Sequence, residues 1–268
     1  MPIINGFDRI IVNGEEISSQ GEPCLRWYCA PESWGSVPAG EEGHGGQWKK
    51  LDTNNLELHP AAKKDFWRKT YYCPLLVKDD GAILYAALSL NTVYTVTTAF
   101  TLYAQSQFDQ AGIVVRLDHE HWIKTGIEVV DGKARLSCVV TNGYSDWSTQ
   151  PWEQEPTTSD SGNATMTRVE CTIRVHCRTE GNFVVESCRN GKDWELVRIC
   201  HLSTAQNCRP DPLAQDAAVT SAFQGTAPPS GSLWTGVFGC CPIDQPGDTK
   251  VVFTQFSITK GSDFDHTA

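Results

Sequence analysis

Six side chains in this sequence could together form a ligand site. In the segments 112–118 and 122–130, apolar residues alternate with polar or aromatic ones. Because alternate residues of a strand share a face, the residues outside the core are expected to face outward together. Aromatic rings stack on flat ligands such as sugars, and charged groups bind hydroxyls. The sequence therefore predicts a ligand-binding face formed by Arg116, Trp122, Lys124 and Glu128, with Trp67 and Trp147 from other segments alongside.

A purely structural interpretation of this face is equally available. Arg116 and Lys124 could pair with Glu128 across neighbouring strands. Ion pairs of this kind commonly decorate an exposed sheet face and contribute little stability. Both interpretations place the charged residues outward, and they differ in whether the face binds a ligand.

Glycoside hydrolysis is the alternative function for such a face. A glycosidase needs two carboxylates, about 5–5.5 Å apart for retention or about 6.5–9.5 Å apart for inversion. Glu128 has Gly126 two positions before it, and a partner such as Asp118 or Glu170 could approach only through folding. The motifs G-x-S-x-G, G-x-x-x-x-G-K-[ST] and H-E-x-x-H are also absent from the sequence. We therefore predict no catalytic residue and prefer binding to catalysis.

Cysteine and histidine spacings do not favour a metal site. Structural zinc sites usually combine two close pairs of ligands. Cys24 and Cys29 lack a second pair nearby, and the pair formed by His119 and His121 lacks an evident third ligand. We predict neither a metal ion nor a cofactor. The eleven cysteines are expected to act as small apolar side chains in a reducing compartment.

The elements that must position the face are β-strands. Alternation punctuated by turns recurs along the chain, whereas helical periodicity is nearly absent. Asp131-Gly132 and Asn142-Gly143 are hairpin signals on either side of segment 134–141, so the centre of the chain is predicted to be a three-stranded meander. Further strands are predicted at 25–28, 56–59, 65–72, 82–90, 93–103, 169–177, 183–188, 194–199, 233–240 and 251–259.

These elements predict an all-β fold, a two-sheet antiparallel jelly-roll sandwich. The chain has 268 residues and no linker that divides it into balanced halves. We therefore expect a single domain over 1–268, with its core at about 22–260 and long loops at 32–47 and 203–232.

Charge and hydropathy limit the partners. The formal net charge is −10, which repels phosphate backbones and anionic membrane surfaces. The first residues lack the basic end and long apolar run of a signal peptide. No stretch approaches the roughly 20 apolar residues of a membrane span. We expect a cytoplasmic protein that binds neither nucleic acid nor membrane.

Motifs between residues 111 and 147 resemble those of a known family. They are the strands AGIVVRLD and WIKTGIE and the later SDW, with DFWRKT at 65–70 and GVFGCCP at 236–242. Together they resemble the concanavalin A-like family of unknown function that includes a fungal regulation-of-enolase protein, over roughly 27–258. The resemblance implies a jelly roll of the lectin or glucanase type and a link to the control of enolase.

These observations lead to one functional hypothesis. The chain is expected to be a non-catalytic binding or regulatory protein with a polar-aromatic groove on its concave sheet. The groove would bind carbohydrate or a carbohydrate-metabolism enzyme such as enolase. Either a monomer or a homodimer is compatible with the sequence, since an exposed sheet edge permits pairing.

Overall fold

The alternating segments form β-strands in a computed structural model, which describes residues 2–11, 24–33, 46–152, 167–203, 227–243 and 249–265. A short 3-10 turn covers Thr179–Gly181. None of the helical structure within these ranges is long and apolar enough to cross a membrane. Numbered in chain order, the strands are β1 (Pro2–Asn5), β2 (Ile10–Ile11), β3 (Leu25–Tyr28), β4 (Glu32–Ser33), β5 (Gln47–Lys50), β6 (Leu56–His59), β7 (Phe66–Arg68), β8 (Val77–Asp79), β9 (Ala82–Ser89), β10 (Tyr94–Ala104), β11 (Gln110–Arg116), β12 (His121–Val130), β13 (Lys133–Asn142), β14 (Tyr144–Pro151), β15 (Thr167–Cys177), β16 (Asn182–Cys188), β17 (Trp194–His201), β18 (Ser232–Cys240) and β19 (Lys250–Lys260).

Two large sheets stack into a sandwich, which confirms the predicted fold class. The front sheet has the strand order β14-β13-β12-β11-β18-β9-β3-β2. The back sheet has the order β17-β16-β15-β10-β19-β6-β5-β4, with β1 beside β19. Pairing is antiparallel except between β2 and β3 and between β4 and β5. The strands β7 and β8 form a separate two-stranded hairpin.

The main core lies between the two sheets. On the front sheet, Ile113, Val115 and Ile123 are 0% exposed, as are Val96 and Ile173 on the back sheet. These are alternate positions on their strands, which is why period-2 patterning was a reliable guide to them. Full burial of one such side chain contributes about 1.5–3 kcal/mol. Cysteines also fill this core, among them Cys138, Cys171 and Cys177.

The central meander is confirmed. The strands β11, β12 and β13 are consecutive neighbours in the front sheet, and Asp131 and Gly132 take the positive φ angles of a tight hairpin turn, 51° and 70°. The sequence missed β14, which extends the meander by pairing with β13. Of the two loops expected at 32–47 and 203–232, residues 34–45 and 204–226 lie outside the described residues.

A second apolar cluster lies on the opposite face of the front sheet, outside the sandwich core. Phe66 of the β7–β8 hairpin is 1% exposed and packs against Tyr28 and Trp122, with ring centroids 6.4 and 6.1 Å away. Val114 and Phe238 of the front sheet complete the contact. The hairpin therefore covers much of the face that the sequence led us to expect as an open groove.

Candidate functional site

The strand register brings the predicted charged residues onto one face. Arg116 lies opposite Trp122, and Lys124 and Glu128 follow on β12 at even spacing. The expectation that they share a face is correct, but the expectation that they are open to solvent is wrong. Arg116 and Trp122 are 0% and 1% exposed, and Lys124 and Glu128 are 3% and 6% exposed. The physical reason is the β7–β8 hairpin, which lies over them.

Arg116 anchors this hairpin. Its guanidinium forms a two-pronged ion pair with Asp79 of β8, in which Nη2 lies 2.8 Å from Oδ2. The Tyr28 hydroxyl donates to the same carboxylate oxygen at 2.9 Å, and the guanidinium lies over the Tyr28 ring, 4.8 Å from its centroid. The predicted pairing of Arg116 with Glu128 is therefore wrong. Arg116 and Trp122 belong to the packing beneath the hairpin.

Lys124 pairs with the first residue of the hairpin segment. Its Nζ lies 2.8 Å from Oδ1 of Asp65, and the Gln110 amide donates to the same oxygen at 3.1 Å. Burial alone would lower the pKa of Lys124, but the carboxylates of Asp65 and Glu128 outweigh it and raise the pKa. Lys124 is therefore a buried cation that two nearby carboxyl groups hold in place.

Glu128 lies at the outer end of this polar cluster. Ser137 Oγ donates to Glu128 Oε2 at 2.7 Å, and the Trp147 indole N–H donates to Ser137 Oγ at 2.9 Å. Burial raises the pKa of Glu128, and the Lys124 ammonium opposes this shift without cancelling it. A hydrogen-bonded chain thus connects the buried carboxyl group to a tryptophan at the surface.

The polar cluster is tightly filled. The space bounded by Gln110, Lys124, Glu128 and Ser137 is too small to hold a water molecule. The cluster therefore has no room for a ligand in this conformation, and its outer edge is the accessible part.

The outer edge is a run of aromatic rings, which we call the aromatic rim. Trp67 makes edge contacts with Tyr72 and Trp147, with centroids 5.9 and 6.3 Å away. Tyr71 continues the run beyond Tyr72 at 5.4 Å, and Phe108 continues it beyond Trp147 at 6.4 Å. Tyr71, Tyr72 and Trp147 are 91%, 40% and 37% exposed. The structure thus brings the predicted Trp67 and Trp147 together at the surface.

Sequence reasoning missed several members of this site. Gln110 and Ser137 lie on the same face as Glu128, and a strict even-odd count along β11 and β13 could have found them. Asp65, Tyr71 and Tyr72 arrive from the hairpin, and no local pattern indicates their approach. The available signal was the pair of motifs DFWRKT and SDW, which both carry the family resemblance. They meet in the structure, where the backbone N–H of Arg68 donates to Ser145 Oγ at 2.9 Å.

Other possible sites are less well supported. His121 pairs with Asp118 at 2.8 Å, and no group of three potential metal ligands occurs within the part of the chain described. An open cleft of about 1010 Å³ lies beside Leu117 and His201. Although larger, it lies away from the polar cluster and its walls hold no comparable set of rings, so the aromatic rim is the better candidate.

Comparison with solved structures supports the fold. A functionally unknown protein from Saccharomyces cerevisiae is 29% identical, with a TM-score of 0.57 over 81% of this chain and 97% of that chain. A GH43 protein from Bacillus licheniformis is 10% identical, with a TM-score of 0.52 over 80% of this chain and 34% of that chain. At that identity the second likeness concerns the fold alone.

Comparison with known sequences gives the family. A Saccharomyces cerevisiae protein named "Regulation of enolase protein 1" is 33% identical over 208 residues, which cover 78% of this chain and 83% of the relative. Residues 44–261 match the family described as "Protein of unknown function (DUF1349)". These residues include both the polar cluster and the aromatic rim. The chain belongs to the DUF1349 family, as the motifs of its central strands indicated.

Proposed function

We propose that this chain is a binding protein that holds a saccharide against the aromatic rim. The observation that carries the proposal is the continuous run of five rings, three of which stay exposed. Exposed apolar side chains that lie together mark interaction surfaces. Aromatic faces suit a sugar ring, whose C–H face is apolar while its edge carries hydroxyls.

The rim is held in position before any ligand arrives. The indole N–H of Trp147 is hydrogen-bonded to Ser137, and that of Trp67 donates to the backbone oxygen of Thr70 at 3.0 Å. Thr70 Oγ1 in turn donates to the Ser145 carbonyl at 2.6 Å. Rings that are already ordered lose little freedom on binding, which favours affinity.

Titration calorimetry against a panel of soluble oligosaccharides tests this proposal. Trp147→Ala should weaken binding about tenfold, since one aromatic contact contributes about 1.4 kcal/mol. Tyr103→Ala is a matched control, because Tyr103 lies on the back sheet beside Lys250. Absence of heat with every oligosaccharide, or equal losses in both variants, would contradict saccharide binding at the rim.

Regulation of a carbohydrate-metabolism enzyme such as enolase is the second candidate function. The observation that favours it is the name of the 33% identical relative. In this version the rim contacts the partner protein, and the cytoplasmic location expected from the sequence is part of the proposal. Purified enolase should co-elute with the wild-type chain and its activity should change on mixing, whereas Tyr71→Ala should weaken both effects. Unaltered enolase elution and activity would refute it.

Glycoside hydrolysis is the weaker alternative. A second carboxylate does approach Glu128 through folding: it belongs to Asp65, whose negative charge contributes to raising the pKa of Glu128. However, Lys124 is paired with Asp65, and the cavity beside Glu128 has no room for a sugar ring. Release of nitrophenol from aryl glycosides by the wild-type chain, lost in Glu128→Gln, would restore this alternative.

A further inference from the structure

The outer face of the back sheet carries a second constellation of reactive side chains. His176 on β15 is 0% exposed and lies opposite Thr95 of β10. Glu186 lies one strand further along, on β16. The segment that follows β19 crosses over these residues and brings Ser262 onto His176.

The three groups are connected in one line. Ser262 Oγ lies 2.9 Å from Nδ1 of His176, and Nε2 of the same ring lies 2.8 Å from Oε2 of Glu186. A carboxylate can only accept, so Nε2 carries the proton and Nδ1 is left with its lone pair. The Thr95 hydroxyl also approaches Nδ1, at 3.1 Å, but it donates to the Gly261 carbonyl at 2.8 Å. The proton that Nδ1 accepts is therefore that of Ser262.

The surroundings keep the imidazole neutral and the carboxylate fixed. Burial is the largest effect and lowers the pKa of His176, with a further lowering from Arg174 and an opposing effect from Glu186 and Asp263. Arg174, Glu186 and Asp263 are thus the charged groups that act on the ring. Strand β10 packs the uncharged Thr95 hydroxyl against it. Arg174 Nε contacts Oε2 of Glu186 at 2.7 Å and its guanidinium lies over the Trp194 ring at 4.2 Å. A neutral imidazole oriented by a fixed carboxylate is what general-base catalysis requires.

We propose that Ser262, His176 and Glu186 form a nucleophilic site for acyl transfer, with Ser262 as the nucleophile, His176 as the base and Glu186 as the residue that orients the base. The substrate class is an ester or thioester of a small, uncharged acyl group. Ser262 is half-buried, so a small acyl group can reach its Oγ. Asp263 beside it is 71% exposed and pairs with Arg174 at 3.1 Å, so the two charges offset each other beside the nucleophile and favour an uncharged acyl group.

The reaction balances with water as the second substrate. Ser262 Oγ attacks the carbonyl carbon, and its proton passes to Nδ1 of His176. The imidazolium returns that proton to the departing alcohol or thiol, which leaves Ser262 acylated. Water then attacks the acyl carbon and gives a proton to Nδ1 of His176. The imidazolium returns that proton to Ser262 Oγ as the carboxylic acid leaves. The backbone N–H of Phe264 donates to Ser262 Oγ at 3.3 Å, so it holds the nucleophile in place beside the base.

A fluorophosphonate reagent tests the proposal, because it labels serines that a neighbouring base activates. Peptide mass spectrometry of the intact chain should find the label on Ser262. His176→Gln should slow labelling about 100-fold, the contribution expected from a positioned base. Ser89→Ala is the matched control, since Ser89 is an exposed serine at the end of β9 and should leave the rate unchanged. The labelling rate of the wild-type chain should also rise with pH and level off once the imidazole is neutral.

Two results would overturn the proposal. One is the absence of label on Ser262 at any pH between 5 and 9. The other is an equal labelling rate in His176→Gln, with a melting temperature that shows the variant is folded, because Ser262 would then be an ordinary surface serine. If His176→Gln does not fold, the pH profile of the wild-type chain decides, and a flat profile refutes the base.

Discussion

The Arg116–Asp79 ion pair provides the sharpest test of how the covered face is held together. Asp79→Asn keeps the shape of the side chain but replaces one acceptor oxygen with an NH2 group. That group then faces the guanidinium, which is itself a donor. Arg116 is 0% exposed, so water cannot replace the lost acceptor.

The expected loss is large for a single conservative substitution. Removing one partner of a buried ion pair costs about 3–5 kcal/mol, because the other charge stays buried without compensation. For a chain of this size each kcal/mol lowers Tm by about 2–4 °C, so the expected drop is about 6–20 °C. The covered apolar residues, including Phe66 and Trp122, would also become accessible when the hairpin loosens.

Urea and thermal unfolding measure this effect, with Asp80→Asn as the matched control. Asp80 is the next residue, and its partner Lys64 is 38% exposed at a distance of 3.2 Å. An ion pair of that kind contributes about 0–1 kcal/mol. A double variant, Asp79→Leu with Arg116→Met, should recover part of the loss, because it removes both buried charges.

The reasoning fails on either of two outcomes. One is that the losses of unfolding free energy caused by Asp79→Asn and by Asp80→Asn differ by less than about 1 kcal/mol. Burial would then not decide the strength of these ion pairs. If the double variant is as unstable as the sum of its single changes, Arg116 and Asp79 do not interact energetically.

Three further predictions follow from the same contacts. Gly126→Ala should prevent folding or lower Tm strongly, since a Cβ there would lie 2.0 Å from the Ala111 carbonyl oxygen. Gly132→Ala should cost less, because a Cβ at that turn position, with a φ of 70°, would meet open space. Glu128→Gln should stabilise the fold at pH 7 and lose this advantage below about pH 4. The sign follows from the raised pKa of Glu128 in the folded chain: its native carboxyl favours the proton, so wild-type stability falls as pH rises through that pKa. Under native conditions iodoacetamide should modify the exposed Cys73 before the core residues Cys171 and Cys177, because burial raises the pKa of those two thiols. Denaturation measured as a function of pH checks the Glu128 prediction, and peptide mapping of the alkylated chain checks the Cys73 prediction.

Much of the fold could be predicted because it depends on short-range periodicity. The alternation in 112–118 and 122–130 correctly assigned Ile113, Val115 and Ile123 to the core. Asp131-Gly132 located a hairpin turn for a similar reason, since the backbone angles of such a turn favour these residue types. The edge strand β14, by contrast, was missed: its sequence YSDWSTQP is largely polar and exposed, so it carries no apolar alternation.

The candidate site was only partly predictable. The sequence indicated that Lys124, Glu128 and Trp147 would contribute, and the structure places them in one hydrogen-bonded and charged cluster with its aromatic rim. It could not indicate Asp65, which lies 59 positions before its partner Lys124. Ligand binding at these residues stays a prediction until the titrations are done.

The sequence by itself determined which side chains share a face of the front sheet, because successive residues of a strand point to opposite sides. Arg116, Trp122, Lys124 and Glu128 had to share a face once the apolar alternate residues of their two strands were buried in one core, because that burial fixes the register. Only the tertiary structure decided what lies over that face. The covering hairpin is held by contacts between residues far apart in the chain, such as Asp79 and Arg116, 37 positions apart. Strand periodicity carries no information about such contacts. Because of them, the expected open groove is instead a buried charged layer with exposed aromatic rings at its edge.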